Sequence, residues 1–261
     1  MTIYISHLFE DKDLSKIFLN QQHKLNDCEF GIETIDFAAG NYLDEKEVQM
    51  ERYQERIGHL LSNHSLSIHG PFLDLCPHSF DRYIREATRL RYEETYQIAK
   101  KLRAKHLIFH SCLIPSIYYT QIWEENSLPF WREFMSDKDD SIAIHLENVF
   151  DEDYHPMKNL IQQVDHPQFS MCLDIGHAHC FSSQPLEEWF VEMSGDIGHL
   201  HLHNNDGKKD LHWQLDQGSI DMDNTLTLIE KYCPQVDWTL EMNSGREVES
   251  SLDYLKGKMT K

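Results

Sequence analysis

A single-domain α/β fold, a (β/α)8 barrel spanning residues 1–261, is what the sequence predicts, and three observations predict it. Short β-rich apolar runs recur eight times, each followed by a longer amphipathic or polar segment. Eight such units in roughly 250 residues match the length and rhythm of a barrel with a helix behind each strand. No GxGxxG phosphate loop accompanies them, as a doubly wound sheet of this size would carry. No linker, low-complexity stretch or charge block marks a second domain.

In chain order the strand-like runs are Thr2–Phe9, Phe30–Phe37, Ser65–Phe72, His106–Leu113, Ile142–Val149, Phe169–His177, His199–Asn205 and Trp238–Asn243. Each is rich in Ile, Leu, Val, Phe or Thr. Between the third and fourth, Phe80–Arg103 is expected to be a helix packed through Ile84, Ala87, Leu90, Tyr96, Ala99 and Leu102. Segments Asp44–Leu61, Glu187–Met193, Met222–Tyr232 and Arg246–Leu255 also read as helices.

Charge and composition narrow the function classes. With 24 Lys+Arg against 44 Asp+Glu the formal charge is −20, which repels phosphate polyanions at long range and disfavours nucleic acid. An apolar share of 40% is enough for a real core at this length, so the chain is not disordered. Six scattered cysteines with no CxxC pair read as reduced thiols in a cytoplasmic protein. The opening MTIYISHLFEDKDL has neither a basic segment nor an apolar one of a leader, and no run is long enough to span a membrane. The 17 histidines are the feature still to be explained.

A barrel places its chemistry at the C-terminal ends of its strands. Reading those ends gives His69, His110, Glu147, Asp174 with His177 three residues on, His201 and Glu241, and the loop after the seventh strand adds Asp210 and His212. All nine are nitrogen or oxygen donors suited to divalent transition metals, and none is a thiol. A single zinc site takes about four protein ligands, so nine point to a cluster of two or three ions. Zinc, manganese, cobalt and iron all suit the mixture.

Blander readings apply elsewhere. His145 and His199, inside strands, read as packed or hydrogen-bonded core residues, and Asp174-x-x-His177 alone would suit an Asx-stabilised turn. His23, His59, His64 and His78 are expected at the surface, whereas His7 and Glu33 are expected to line the pocket without touching metal. Cys112 and Cys172 read as small core residues, Lys208 and Lys209 as a solvated loop. Phe72, Trp123, Trp131, Phe181 and Trp213 are candidate pocket walls.

The ordered set IHGPF (Ile68–Phe72), FH (Phe109–His110), LEN (Leu146–Asn148), CLDIGHAH (Cys172–His179), HLHNNDG (His201–Gly207), DLH (Asp210–His212), QGSID (Gln217–Asp221) and LEMN (Leu240–Asn243) resembles the xylose isomerase-like TIM-barrel superfamily. It is similar in particular to the branch uniting sugar isomerases and epimerases with endonuclease IV, the family-2 AP endonucleases. The resemblance covers nearly the whole chain. In the endonuclease branch it implies three zinc ions on all nine positions. In the isomerase branch it implies one divalent ion on Glu147, Asp174, His201 and Glu241, with Glu147 and Glu241 also moving protons. The loop HNNDGKKDLH is the short form of the isomerase-like members, and Asp216 stands where the family often has Gly.

Two activities follow as expectations. One is metal-dependent isomerisation or epimerisation of a small sugar or sugar phosphate, with Glu147 and Glu241 as the acid–base pair. The other is multinuclear-zinc hydrolysis of a phosphodiester. A barrel that binds without turnover would have no need of two carboxylates flanking one metal-held carbon. Composition leaves the oligomeric state open.

Overall fold

The computed structural model describes residues 1–20, 25 and 28–259, so His23 lies outside the described residues. Eight parallel strands close into a barrel in sequence order: β1 (Thr2–Ser6), β2 (Glu29–Thr34), β3 (Ser65–His69), β4 (His106–His110), β5 (Ala143–Glu147), β6 (Phe169–Asp174), β7 (Ile197–Leu202) and β8 (Asp237–Leu240). Pairing of β1 with β8, Ile3 opposite Trp238 and Ile5 opposite Leu240, closes the ring and leaves no edge. Each sequence run overlaps its strand. All eight runs overshoot their strands, and in β3, β4, β5 and β6 the ladder ends at the residue carrying the site's side chain before the chain continues as loop.

The helices are α1 (Asp11–Leu19), α2 (Gly40–Leu43), α3 (Lys46–Leu61), α4 (Arg82–Leu102), α5 (Thr120–Met135), α6 (His155–Val164), α7 (Ile175–Phe181), α8 (Leu186–Met193), α9 (Met222–Tyr232) and α10 (Gly245–Met259). None is long and apolar enough to cross a membrane among the described residues. The sequence reading contained α3, α4, α8, α9 and α10 and left out α1, α2, α5, α6 and α7.

The buried face of α4 corrects the sequence expectation. Thr88, Tyr92, Thr95, Tyr96, Ile98 and Ala99 pack inward, whereas Ile84 and Leu90 are exposed. Buried threonines are tolerated there because their hydroxyls donate to the carbonyls one turn back, Thr88 to Ile84 and Thr95 to Arg91. Tyr92 stacks on Phe109 of β4 at 3.9 Å between ring centres.

Strand alternation separates two environments. Outward, Ile3, Ile5, Ile32, Ile68, Leu107, Phe109, Ile144, Leu146, Leu173, Leu200 and Leu240 join the apolar layer between sheet and helices. Inward, the lumen is polar: the Tyr4 and Ser65 hydroxyls pair, Ser67 and Thr239 donate to Glu33, and His199 bonds Thr239. Trp123 and Trp131, expected as pocket walls, belong to the outer layer instead. Trp131 packs on Phe109, Phe134 and Phe169, and the Trp123 indole donates to the Ser111 carbonyl.

Two of the surface histidines are also corrected. His78 is fully buried, its ring edge-on to Tyr118 at 4.3 Å and its Nε2 at 3.4 Å from Cys76 Sγ. Burial pushes its pKa down to about 4. His64 is half-buried, its ring 4.5 Å from Phe18 and its Nδ1 bonded to the Phe30 carbonyl. His59 lies at the surface as expected. Cys172 is buried and Cys112 half-buried, just past β4.

Candidate metal centre

All nine expected donors, from strand ends and from the loop after the seventh strand, meet at the C-terminal mouth of the barrel. His69 closes β3, and its Nδ1 donates to the Gly70 carbonyl, which turns Nε2 towards Glu147 Oε2 at 3.3 Å. His110 closes β4 with its Nε2 at 3.1 Å from that of His69 and 3.5 Å from Glu147 Oε2. Phe72, a candidate pocket wall, stacks on the His110 ring at 4.4 Å and so packs against the donor cluster.

Glu147, at the end of β5, lies at the centre. Its Oε1 is 3.3 Å from His177 Nδ1 and 3.5 Å from His201 Nδ1. His201 Nδ1 is in turn 3.2 Å from Glu241 Oε2, directly after β8, and its Nε2 is 3.0 Å from Glu33 Oε1. Glu33 lies beneath the site, where it also forms a candidate ion-holding group with His199 and His201, and His7 pairs sideways with Asp11 at 3.0 Å.

Asp174 has two roles at once. It closes β6 and caps α7, accepting from the His177 amide at 2.7 Å, so the Asx turn is present alongside the cluster. The turn brings His177 back over the mouth, where its Nδ1 bonds the Asn148 carbonyl and its Nε2 reaches Asp210 at 3.2 Å. Asp210 also holds His212 Nε2 at 2.9 Å, and His212 Nδ1 donates to the Glu241 carbonyl.

One residue of the site escaped the sequence reading. His203 is fully buried, with Nε2 at 3.1 Å from Asp174 Oδ1 and its ring stacked on His212 at 4.0 Å. The signal was present in HLHLH, since alternate residues 199, 201 and 203 face the same way.

The donors sort into three groups that could each hold an ion: His69, His110 and Glu147; Glu147, Asp174, His201 and Glu241; and His177, His203, Asp210 and His212; a fourth, Glu33, His199 and His201, lies beneath them. Within each, one donor atom per residue lies within 4.8 Å of the others. Glu147 belongs to two groups, as a bridging carboxylate would. Glu147 Oε2, Glu241 Oε2, both His201 nitrogens and His203 Nδ1 are buried and make no hydrogen bond, although all but the last lie within ion-pair distance of one another or of Glu33 and His69. Orphaned donors of this kind are costly unless a cation satisfies them, so the residues fit divalent ions.

Electrostatics agrees. Burial works against charge on Glu147 and Glu241, but the surrounding imidazoles of His201, His110 and His212 outweigh it and hold both carboxylates ionised below their usual range. Burial likewise opposes charge on His177 and His201, yet the carboxylates raise both well above the ordinary value. His110 goes the other way, its burial dominating and pushing it down to about 3. Lys208 and Lys209 donate their backbone amides to Asp206 in an exposed loop.

Residues 28–258 match the family described as Xylose isomerase-like TIM barrel. The uncharacterized protein MJ1311 of Methanocaldococcus jannaschii is 26% identical over 202 residues, 72% of this chain and 68% of its own. Among solved structures, a D-tagatose 3-epimerase-like protein superposes with a TM-score of 0.80 at 21% identity, covering 100% of this chain and 97% of that one. The TTHB071 protein from Thermus thermophilus, soaked with ZnCl2, gives 0.76 at 22% identity over 99% of both chains. At these identities the superpositions establish the shared fold.

Proposed function

The chain belongs to the xylose isomerase-like TIM-barrel family, and from that premise we propose that it is a divalent-metal-dependent isomerase or epimerase of a small sugar or sugar phosphate. The observation that carries the reading is the pairing of two buried, ionised carboxylates, Glu147 and Glu241, in one four-donor group with Asp174 and His201. Zinc fits the imidazole-rich set best, with manganese, cobalt or iron as alternatives, one to three ions per chain. A bound divalent ion supplies Lewis acidity that polarises a carbonyl and acidifies the neighbouring C–H.

The chain's own residues supply the rest. One of Glu147 and Glu241 takes the proton from the carbon beside the carbonyl and the other returns it, and inversion follows when the two act on opposite faces. His201, between them and braced from below by Glu33, keeps the carboxylates apart and oriented. Phe72 on His110 and the pair Phe150–Phe181, 5.0 Å between rings, give the mouth apolar flanks against which a sugar ring packs and which exclude water.

A second reading, phosphodiester hydrolysis, is favoured by one observation, the third donor group around His177, His203, Asp210 and His212. Net charge of −20 opposes a long polyanionic substrate. The deciding experiment incubates metal-loaded protein with a panel of ketoses and their phosphates in deuterated water, and separately with an abasic-site duplex at low salt. Deuterium beside the carbonyl of one sugar, without strand cleavage, is the expected result. Cleavage of the duplex with no exchange into any sugar would overturn the isomerase reading.

A further inference from the structure

The opposite, N-terminal mouth of the barrel holds a second histidine cluster. His106 opens β4, and His145 and His199 lie inside β5 and β7, with ring centres 4.8 to 5.4 Å apart. One nitrogen of each lies within 4.8 Å of the other two. A barrel's N-terminal face normally serves stability, and three imidazoles at close range gain little there by packing on one another.

The hydrogen bonds fix which nitrogens face inward. Asp237 holds His106 Nε2 at 3.1 Å, Ser170 holds His145 Nδ1 at 2.8 Å and Thr239 holds His199 Nε2 at 2.8 Å. Of the three remaining nitrogens, His106 Nδ1 and His145 Nε2 hydrogen-bond each other at 2.8 Å, and His199 Nδ1 is buried with no hydrogen-bond partner. Three imidazoles, each with its far nitrogen anchored by an oxygen, form the arrangement that orients histidine ligands on a metal. Gly198 leaves the necessary room, since a Cβ there would come within 2.1 Å of Ser170 Oγ and 3.0 Å of the His145 ring. Of the three, His106 alone faces open space, while His145 and His199 are buried behind it. A cavity of about 660 Å³ opens at this mouth, lined by Tyr4, Ser65, His106 and Asp237 among others.

We propose that His106, His145 and His199 form a separate site for one divalent first-row transition ion at the N-terminal mouth, with the cavity side of the ion left to water. Three neutral nitrogen donors select zinc, copper, nickel or cobalt over magnesium or calcium. None of its three ligands is among the ten donors of the other mouth, although His199 also lies in a donor group with Glu33 and His201, and the two ends are joined through the His199–Thr239–Glu33–His201 chain of contacts.

The test loads the full-length protein with Zn²⁺, removes the excess by gel filtration and counts ions per chain by elemental mass spectrometry, for the wild type and for His106→Gln and His145→Gln. Both variants should carry one ion fewer than the wild type, and zinc-edge anomalous diffraction of the loaded wild type should place a peak between the three rings. Equal ion counts in wild type and variants, or no anomalous peak there, would overturn the proposal. His106 lies half-open at the cavity, so its substitution remains informative should His145→Gln fail to fold. Neither variant touches Glu147 or Glu241, so sugar exchange is read independently in the same preparations.

Discussion

Glu147 and Glu241 lie within one donor group, and the proposed chemistry requires both as carboxylates. Glu147→Gln and Glu241→Gln should each lower the rate of solvent-deuterium exchange by about 10²–10⁴-fold, with circular dichroism unchanged. His203 tests the third donor group. His203→Ala should leave the acid–base pair in place yet lose an ion by elemental analysis, because it removes a buried nitrogen held 3.1 Å from Asp174. His78 carries no site chemistry and reports on stability alone. Its folded pKa is lowered to about 4 from 6.5 by burial. The contribution from this buried neutral ring is therefore complete above pH 6.5 and is lost as pH falls through about 4. Replacing it with Phe should flatten that limb of the stability–pH curve measured by denaturant melts. At this scale six of the ten clustered residues were legible from strand ends, His177 from its spacing to Asp174, and Asp210 and His212 from the loop after β7. His203 was not, because the seventh strand had already supplied His201 and only the alternation of 199, 201 and 203 marks it.

Helix ends and faces show what patterning conveys and what it omits. Asp81, Asp174 and Asp221 each accept an amide at the start of α4, α7 and α9, so aspartate is used as a cap at the site and away from it. Asp221→Ala, remote from the chemistry, should cost about 1 kcal/mol, seen as a small fall in Tm with ion content unchanged. Gly176, in the first turn of α7, is a tighter constraint. A Cβ there would lie 1.9 Å from the His203 ring, so Gly176→Ala should expel His203 and reproduce the ion loss of His203→Ala while the barrel stays folded. The α4 face was misread because apolar residues at 84 and 90 point to solvent while threonines point inward. Hydrophobicity alone does not register a hydroxyl that satisfies itself on its own helix. Nor does it say which side of the sheet a large apolar residue will fill, so Trp123 and Trp131 read as pocket walls when their size is spent in the gap between sheet and helices.

Over the whole molecule, a chain of formal charge −20 encloses a centre whose charge depends on what occupies it. Without metal, protons take the cation's place. Burial opposes charge on His212, but Asp210 and Glu241 raise its pKa from 6.5 to about 9. Its contribution to metal-free stability is thus full below pH 6.5 and disappears as pH rises through about 9. Metal-loaded protein should lack this dependence, have a higher Tm and, in calorimetry across buffers of different ionisation enthalpy, release protons on loading near neutral pH. Sequence by itself determined the barrel, since alternation and the strand–helix rhythm are local and the closed topology follows from repeating them eight times. It also determined the donors at the strand ends, because a parallel barrel collects those ends at one mouth whatever its loops do. Only the tertiary structure decided that Glu147 belongs to two donor groups, that His203 completes the third, and that His106, His145 and His199 meet at the opposite mouth. Those facts depend on register and ring orientation across strands far apart in sequence, and closure of the barrel sets both.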